Sequence, residues 1–243
     1  QGNIFQFPVT MTFEPWAQAW SSACTGLQCD GIGVGFINSV QILVPSLILS
    51  ILVGSINGYA LAFWKVRWGH WAFSVLMLGA FIPYQVMMYP LVRMFASINM
   101  FQSIANIVIV HTIFGMPIMT LLFRNYYSSL PFELFMAARI DGGGFWRIYW
   151  QLMLPMSLPI LVVATIMQTT GIWNDFILGL IFAGREHYPM TVQLNNIINS
   201  THGEKIYNVN MAATLLTSLV PMAVYFVSGR WFVRGIAAGA VKG

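Results

Sequence analysis

Five stretches of this chain are each long and apolar enough to cross a lipid hydrocarbon core: residues 39–64, 71–95, 104–123, 157–182 and 211–233. A helix needs about 20 residues for that crossing. Inside a bilayer every backbone N–H and C=O must be satisfied within the protein, so only helices and closed barrels can span. Barrel strands alternate apolar and polar residues, whereas these runs are continuous. An all-α, polytopic membrane helix bundle is therefore expected. Composition agrees, with 58% hydrophobic and 7% charged residues, against about a quarter charged in a soluble domain. A net charge of +4 then reflects basic loops rather than binding to nucleic acid.

Lysine and arginine collect in the inside loops of membrane proteins. Lys65 and Arg67 follow the first span, Arg124, Arg139 and Arg147 lie between the third and fourth, and Arg230, Arg234 and Lys242 close the chain. The opposite segments hold Arg93, and Arg185 and Lys205 offset by Glu186 and Glu204. This puts residues 1–37 outside, with 124–156 and the C-terminus inside. An outside start without an initiating Met leads us to expect a further span upstream of Gln1. Residues 38–243 read as a single membrane domain.

In the 1–37 segment Trp16 and Trp20 are one helical turn apart, which fits either an amphipathic helix at the outer interface or a packed loop. Cys24 and Cys29 read as a local disulfide, which an oxidising exterior permits, or as two free thiols. No His/Cys cluster has metal-ligand spacing. Ser46, Ser50, Ser55, Gly54 and Gly58 make the first span able to approach a neighbour closely. Pro45, Pro83, Pro90, Pro117 and Pro221 are sites where spans kink.

The loop over 124–156 is the least ordinary segment. Pro131 opens a helix at its first turn, and Glu133 complements the positive N-terminal end. Phe132, Phe135, Met136 and Arg139 recur at helical spacing, so a helix to Ile140 with a mainly apolar stripe is expected. Asp141, Gly142, Gly143 and Gly144 permit a sharp reversal. A second helix over 145–152 follows, and Pro155 marks a bend into the fourth span.

That pattern resembles the cytoplasmic EAA loop of ATP-binding-cassette importer permeases. Ala137 and Ala138 match the paired alanines, Asp141 and Gly142 the turn, and Leu152, Leu154 and Pro155 the exit; Met136 stands where the family usually has an acid. The resemblance implies a coupling helix that docks on an ATPase subunit through Glu133, Met136, Ala137, Ala138, Asp141, Gly142, Gly143, Leu152 and Pro155. With Met136 in place of the acid, such docking leans on shape and apolar contact, and Glu133 one turn earlier could take the acid's place. The chain has no phosphate-binding loop of the Gly-x-x-x-x-Gly-Lys-Ser/Thr type, so ATP and Mg²⁺ belong to partner ATPase subunits and the chain is not itself an enzyme.

The tail from Arg230 to Gly243 and the run Trp173, Asn174, Asp175 are similar to maltose-permease-like sugar importers. This implies a bacterial inner-membrane protein working with a second permease, two ATP-binding subunits, an extracytoplasmic sugar-binding protein and the surrounding lipid. Gln168, Thr169, Trp173, Asn174 and Asp175 become candidates for the substrate pathway, Trp173 as an aromatic plate for a sugar. Asn174 and Asp175 read equally as residues that cap or break the helix. His111 and Gln85 read as helix-to-helix hydrogen-bonding groups. The Cys24 and Cys29 segment and the 207–213 approach look most similar to glucose or mannose permeases, so a monosaccharide is expected. Two other classes stay open: an ATP-independent secondary transporter or channel, which needs intramembrane carboxylates or charge rings, and an intramembrane enzyme, for which His111 has no partner by spacing.

Overall fold

In the computed structural model the described residues are 12–25, 28–64, 66–199 and 206–240, with side chains described as far as Gly229. The chain is helical along nearly all of them: α1 (Glu14–Ser21), α2 (Gly33–Phe63), α3 (Gly69–Phe81), α4 (Tyr84–Ser97), α5 (Ile104–Ser128), α6 (Phe132–Ile140), α7 (Phe145–Ile148), α8 (Leu154–Met156), α9 (Leu158–Trp173), α10 (Ile177–Phe182), α11 (Met190–Ile198) and α12 (Tyr207–Ala240). A π turn, Tyr149–Met153, joins α7 to α8, and a 3₁₀ turn, Arg185–His187, precedes α11. Lys65, Lys205, Glu204, Lys242 and the side chains of Arg230 and Arg234, all used above to orient the chain, lie outside what is described.

α2, α5 and the Tyr207–Gly229 part of α12 are each long and apolar enough to span, and two bent helix pairs raise the total to five. Both bends fall where prolines led us to expect them, the first at Pro83 within 71–95 and the second just after Pro155 at the start of 157–182. Between α3 and α4 the axis turns by 103°. The cause is local: Ile82 precedes Pro83, whose ring excludes the helical conformation from the residue before it, and Ile82 is extended at φ −69°, ψ 124°. The second bend, 78°, separates Phe145–Met156 from Leu158–Trp173 at Ser157. Pro155 and Pro159 supply no N–H there. The hydroxyl of Tyr126 donates to the Met156 carbonyl (2.7 Å) and that of Ser157 to the Leu154 carbonyl (2.7 Å), which satisfies backbone groups at the bend.

α2 and α5 form the most extensive helix pair. Gly54 and Gly58 lie one turn apart on α2, and a Cβ added to Gly58 would come within 2.6 Å of the Arg124 backbone N, while one on Gly54 would collide with the Met119 side chain. Only glycine permits that separation of backbones. The hydroxyls of Ser46 and Ser50 bond back to the Ile42 and Ser46 carbonyls (2.6 and 2.7 Å), so these buried groups carry no unmet polarity in an apolar seam. α12 packs along α9, and α1 folds against α12. α1 is helical, with Trp20 against Phe36 (5.5 Å between ring centroids) and Ala19 fully buried. Cys24 and Cys29 are joined in a disulfide.

The N-terminal end of α2 is tied to the segment around α11. Asn38 donates to the Glu186 and Tyr188 carbonyls (3.2 and 3.1 Å), the Met190 N–H donates to the Ser39 hydroxyl (2.8 Å), and the Gly35 N–H donates to the Gln193 side-chain oxygen (2.8 Å).

Candidate functional site

At the other end of α2, α6 and the 145–156 run form a helix, turn and helix knob. An aromatic box fixes it. Phe135, the buried residue of α6, stacks on Phe63 (4.9 Å) and meets Trp64 edge-on (5.7 Å), while Phe132 stacks on Phe63 at 6.2 Å. Phe145 lies 4.8 Å from Tyr59 and 5.2 Å from Trp64. Two polar contacts add direction: the Tyr59 hydroxyl donates to the Phe145 carbonyl (3.3 Å), and the Ser55 and Tyr149 hydroxyls share a bond of 2.6 Å. The Arg139 guanidinium sits 4.7 Å over the Trp64 ring, a cation–π contact.

The turn is built as its composition demands. Gly142 has φ +77°, open to glycine and costly for other residues, and an added Cβ there would meet nothing within 4 Å. Gly143 is constrained by space instead, since an added Cβ would lie 2.6 Å from the Ala138 carbonyl oxygen and 2.7 Å from the Ile148 side chain. The N–H groups of Asp141, Gly142 and Gly143 bond to the carbonyls of Ala137, Arg139 and Ala138 (3.0, 3.1 and 2.9 Å) and close the end of α6.

α6 therefore has two unlike faces. Phe135 is anchored, whereas Glu133, Met136, Ala137, Ile140, Asp141 and Gly142 are exposed, Ile140 at 82%. Ala138, Gly143 and Leu152 are half-buried around a shallow recess between α6 and the following run, and Pro155 is exposed. The residues expected at the coupling loop are thus either exposed or at the border of this recess. Sequence reading missed the anchor: Tyr59, Phe63, Trp64, Phe145 and Tyr149. The available signal was aromatic spacing of four and five residues at the end of the first span and of four in the loop.

The second candidate group, around 168–175, is arranged differently. Gln168 and Thr169 are buried, and Gln168 lies directly on Gly115 of α5. Trp173 is 2% exposed, its indole N–H donates to the Thr217 carbonyl of α12 (2.9 Å), and Phe36 meets it edge-on at 5.8 Å. Asn174 is exposed at the end of α9. The Asp175 carboxylate accepts from the N–H groups of Leu178 and Gly179 (3.3 and 2.8 Å), which makes it the cap on which α10 starts. The Thr191 hydroxyl donates to the Asp175 carbonyl at 2.5 Å. His111 stands 3.8 Å from the same carboxylate, a partner separated from it by too much chain for spacing to reveal.

Known proteins with similar sequences and structures bear on this geometry. The family described as binding-protein-dependent transport system inner membrane component matches residues 46–238. A probable ABC transporter permease protein of Pyrococcus horikoshii is 39% identical over 171 residues, covering 70% of this chain and 62% of that protein, so this chain matches less than two thirds of that relative's length. The melibiose/raffinose/stachyose import permease protein MelC of Bacillus subtilis is 31% identical over 241 residues, covering 98% of this chain and 83% of that protein. Among solved structures, a bacterial ABC transporter involved in the import of the acidic polysaccharide alginate superposes with a TM-score of 0.76 at 19% identity, covering 95% of this chain and 82% of its counterpart. At that identity the likeness speaks to the fold.

Proposed function

Since the chain belongs to the family of inner membrane components of binding-protein-dependent transport systems, we propose that it is one of two permease subunits of an ATP-driven carbohydrate importer. Two ATP-binding subunits would dock inside and a sugar-binding protein would deliver substrate outside. The observation that carries this reading is the two-faced α6: Phe135, with Phe132 and Arg139, fastens it to the end of α2, and Met136, Ala137 and Ile140 stay uncovered. An exposed apolar helix face calls for a partner. Docked there, an ATPase pair closing on ATP would pull α6, and the aromatic box would pass that displacement to α2 and α5. Alternating access follows when the closed and open ATPase pairs stabilise different arrangements of the spans.

As to substrate, MelC is named for import of melibiose, raffinose and stachyose. That supports a glycosidically linked sugar, and the glucose or mannose expected above has no such support. The buried Trp173 leaves the sugar plate to other residues in the state described, and Asn174, exposed beside the Asp175 cap, is the member of that group open to a substrate.

Docking is tested at Gly142. Gly142→Asn tolerates the left-handed backbone with a small outward side chain, whereas Gly142→Trp projects bulk from the same point. Gly142→Trp should lose ATPase association and sugar uptake, and Gly142→Asn should keep most of both. Normal assembly and uptake with Trp would remove α6 from the interface. Identifying the sugar retained by the cognate binding protein, with a monosaccharide as the outcome against us, tests the substrate class.

A further inference from the structure

A second recess, of about 200 Å³, opens at the knob end of the bundle between the ends of α2, α3 and α5. Leu61, Val66 and Phe73 wall it, and His70 and Arg124 supply its charged and polar lining. The Arg124 guanidinium lies 4.4 Å over the Phe73 ring. Among the described residues it has no carboxylate or hydrogen-bonding partner; the acids nearest in sequence, Glu133 and Asp141, make no ion pair with it. The guanidinium is half-buried, with an aromatic ring on one side and no anion on the other, and its planar donor fork suits a phosphate. The N–H groups of His70 and Trp71 lack carbonyl partners among the described residues, as first-turn groups of a helix do, and the helix dipole there has the same sign as Arg124.

We propose that this recess binds the phosphate diester of an anionic membrane phospholipid. The charge asks for an anion, and the three apolar walls favour one that carries an acyl chain over a free ion. α3 turns Trp71, Val75 and Leu78 outward on its other face, at 69%, 64% and 67% exposure, so the helix that walls the recess itself presents a surface suited to hydrocarbon. Basic pockets between spans on the cytoplasmic side take such headgroups. The inner leaflet as the source of the lipid rests on the orientation in the function proposed above; the recess itself does not.

The test uses the full chain assembled with its partner subunits, stripped of lipid in dodecyl maltoside, and titrated with phosphatidylglycerol, phosphatidylcholine or inorganic phosphate. Bound lipid is read by native mass spectrometry. Phosphatidylglycerol should be retained in preference to phosphatidylcholine. Arg124→Gln should weaken that retention about fivefold, the effect of one basic residue at a membrane surface. Arg124→Lys should recover most of it, and inorganic phosphate should neither occupy the site nor displace the lipid. His70→Gln, at an exposed position, should weaken retention to a smaller degree and keeps the test open should Arg124→Gln fail to assemble. Equal retention of the two lipids, retention indifferent to Arg124→Gln and His70→Gln, or occupancy by inorganic phosphate alone overturns the proposal. Loss of the ATPase subunits from lipid-free Arg124→Gln overturns it too, because Arg124 is then a protein contact. If no ATPase subunit joins the complex at all, the permease reading fails, while lipid retention by the chain alone still decides the recess.

Discussion

Gly142 and Gly143 stand side by side for different physical reasons, and substitutions separate them. At Gly142 the constraint is φ +77° with open space around it. Gly142→Ala should therefore cost about 1–2 kcal/mol, the usual penalty for a left-handed non-glycine residue. At Gly143 the constraint is the Ala138 carbonyl, 2.6 Å from an added Cβ, so Gly143→Ala must shift backbone and should cost about 1–3 kcal/mol through overpacking. Gly58→Ala faces the Arg124 backbone N at 2.6 Å and should cost a similar amount. Unfolding midpoints in mild detergent measure all three, with Gly79→Ala as the comparison, since its Cβ would meet nothing within 4 Å. A Gly58→Ala protein as stable as Gly79→Ala would contradict the close α2–α5 seam. Composition alone pointed to that seam, because small residues at one-turn spacing have few other uses in a span. The His111 and Asp175 pair was not legible, since which residues meet across α5 and the α9–α10 break depends on where α9 ends.

For whole elements, legibility follows the range of the interaction that sets each boundary. The ends of α6 are local matters, a proline at one end and a glycine turn at the other, and the expected helix to Ile140 coincides with Phe132–Ile140. The break after Trp173 goes with side-chain capping by Asp175, which hydropathy cannot register; residue chemistry could, and capping or breaking at Asn174 and Asp175 was one of the two readings open in the sequence. Pro83 was legible as a kink; that it would turn the axis by 103° was not, because the pre-proline rule fixes one residue and packing fixes the angle. How α6 attaches was hidden altogether, as Phe63, Trp64, Phe135 and Phe145 come from segments far apart in the chain. That attachment makes a testable claim. Phe135→Ala empties the box against Phe63 and Trp64, and buried Phe→Ala changes cost about 3–5 kcal/mol. The loss should appear as faster amide exchange across 132–140 and as ATP hydrolysis no longer matched by uptake. Exchange and coupling that stay native in Phe135→Ala would show that other contacts hold α6.

At the scale of the molecule, the two tied regions sit at opposite ends of one long helix. α2 has 31 residues, which at 1.5 Å each is about 46 Å, more than the roughly 30 Å hydrocarbon core. Its N-terminal end is bonded to the Glu186–Met190 segment and its C-terminal end to the knob. Helix geometry thus places these regions in different aqueous phases, and the basic residues say which is which. Arg67, Arg124, Arg139 and Arg147 cluster at the knob end, against Arg93 and Arg185 for the opposite segments, the latter accompanied by Glu186. On the positive-inside rule we propose that the knob faces the cytoplasm. Single thiols at exposed positions test this: Glu186→Cys and Ile140→Cys, in cells making the permease without ATP-binding subunits so that α6 stays uncovered, with a membrane-impermeant maleimide applied after the outer envelope alone has been permeabilised. Cys24 and Cys29 are bonded to each other and stay silent while no reductant is present. Glu186→Cys should label at once, and Ile140→Cys only after the inner membrane is breached. The reverse order would invert the orientation and place α6 where no ATPase subunit could reach it. Labelling of both from outside would mean that α2 does not span, and with it would go the idea that a pull on the knob is carried across the membrane.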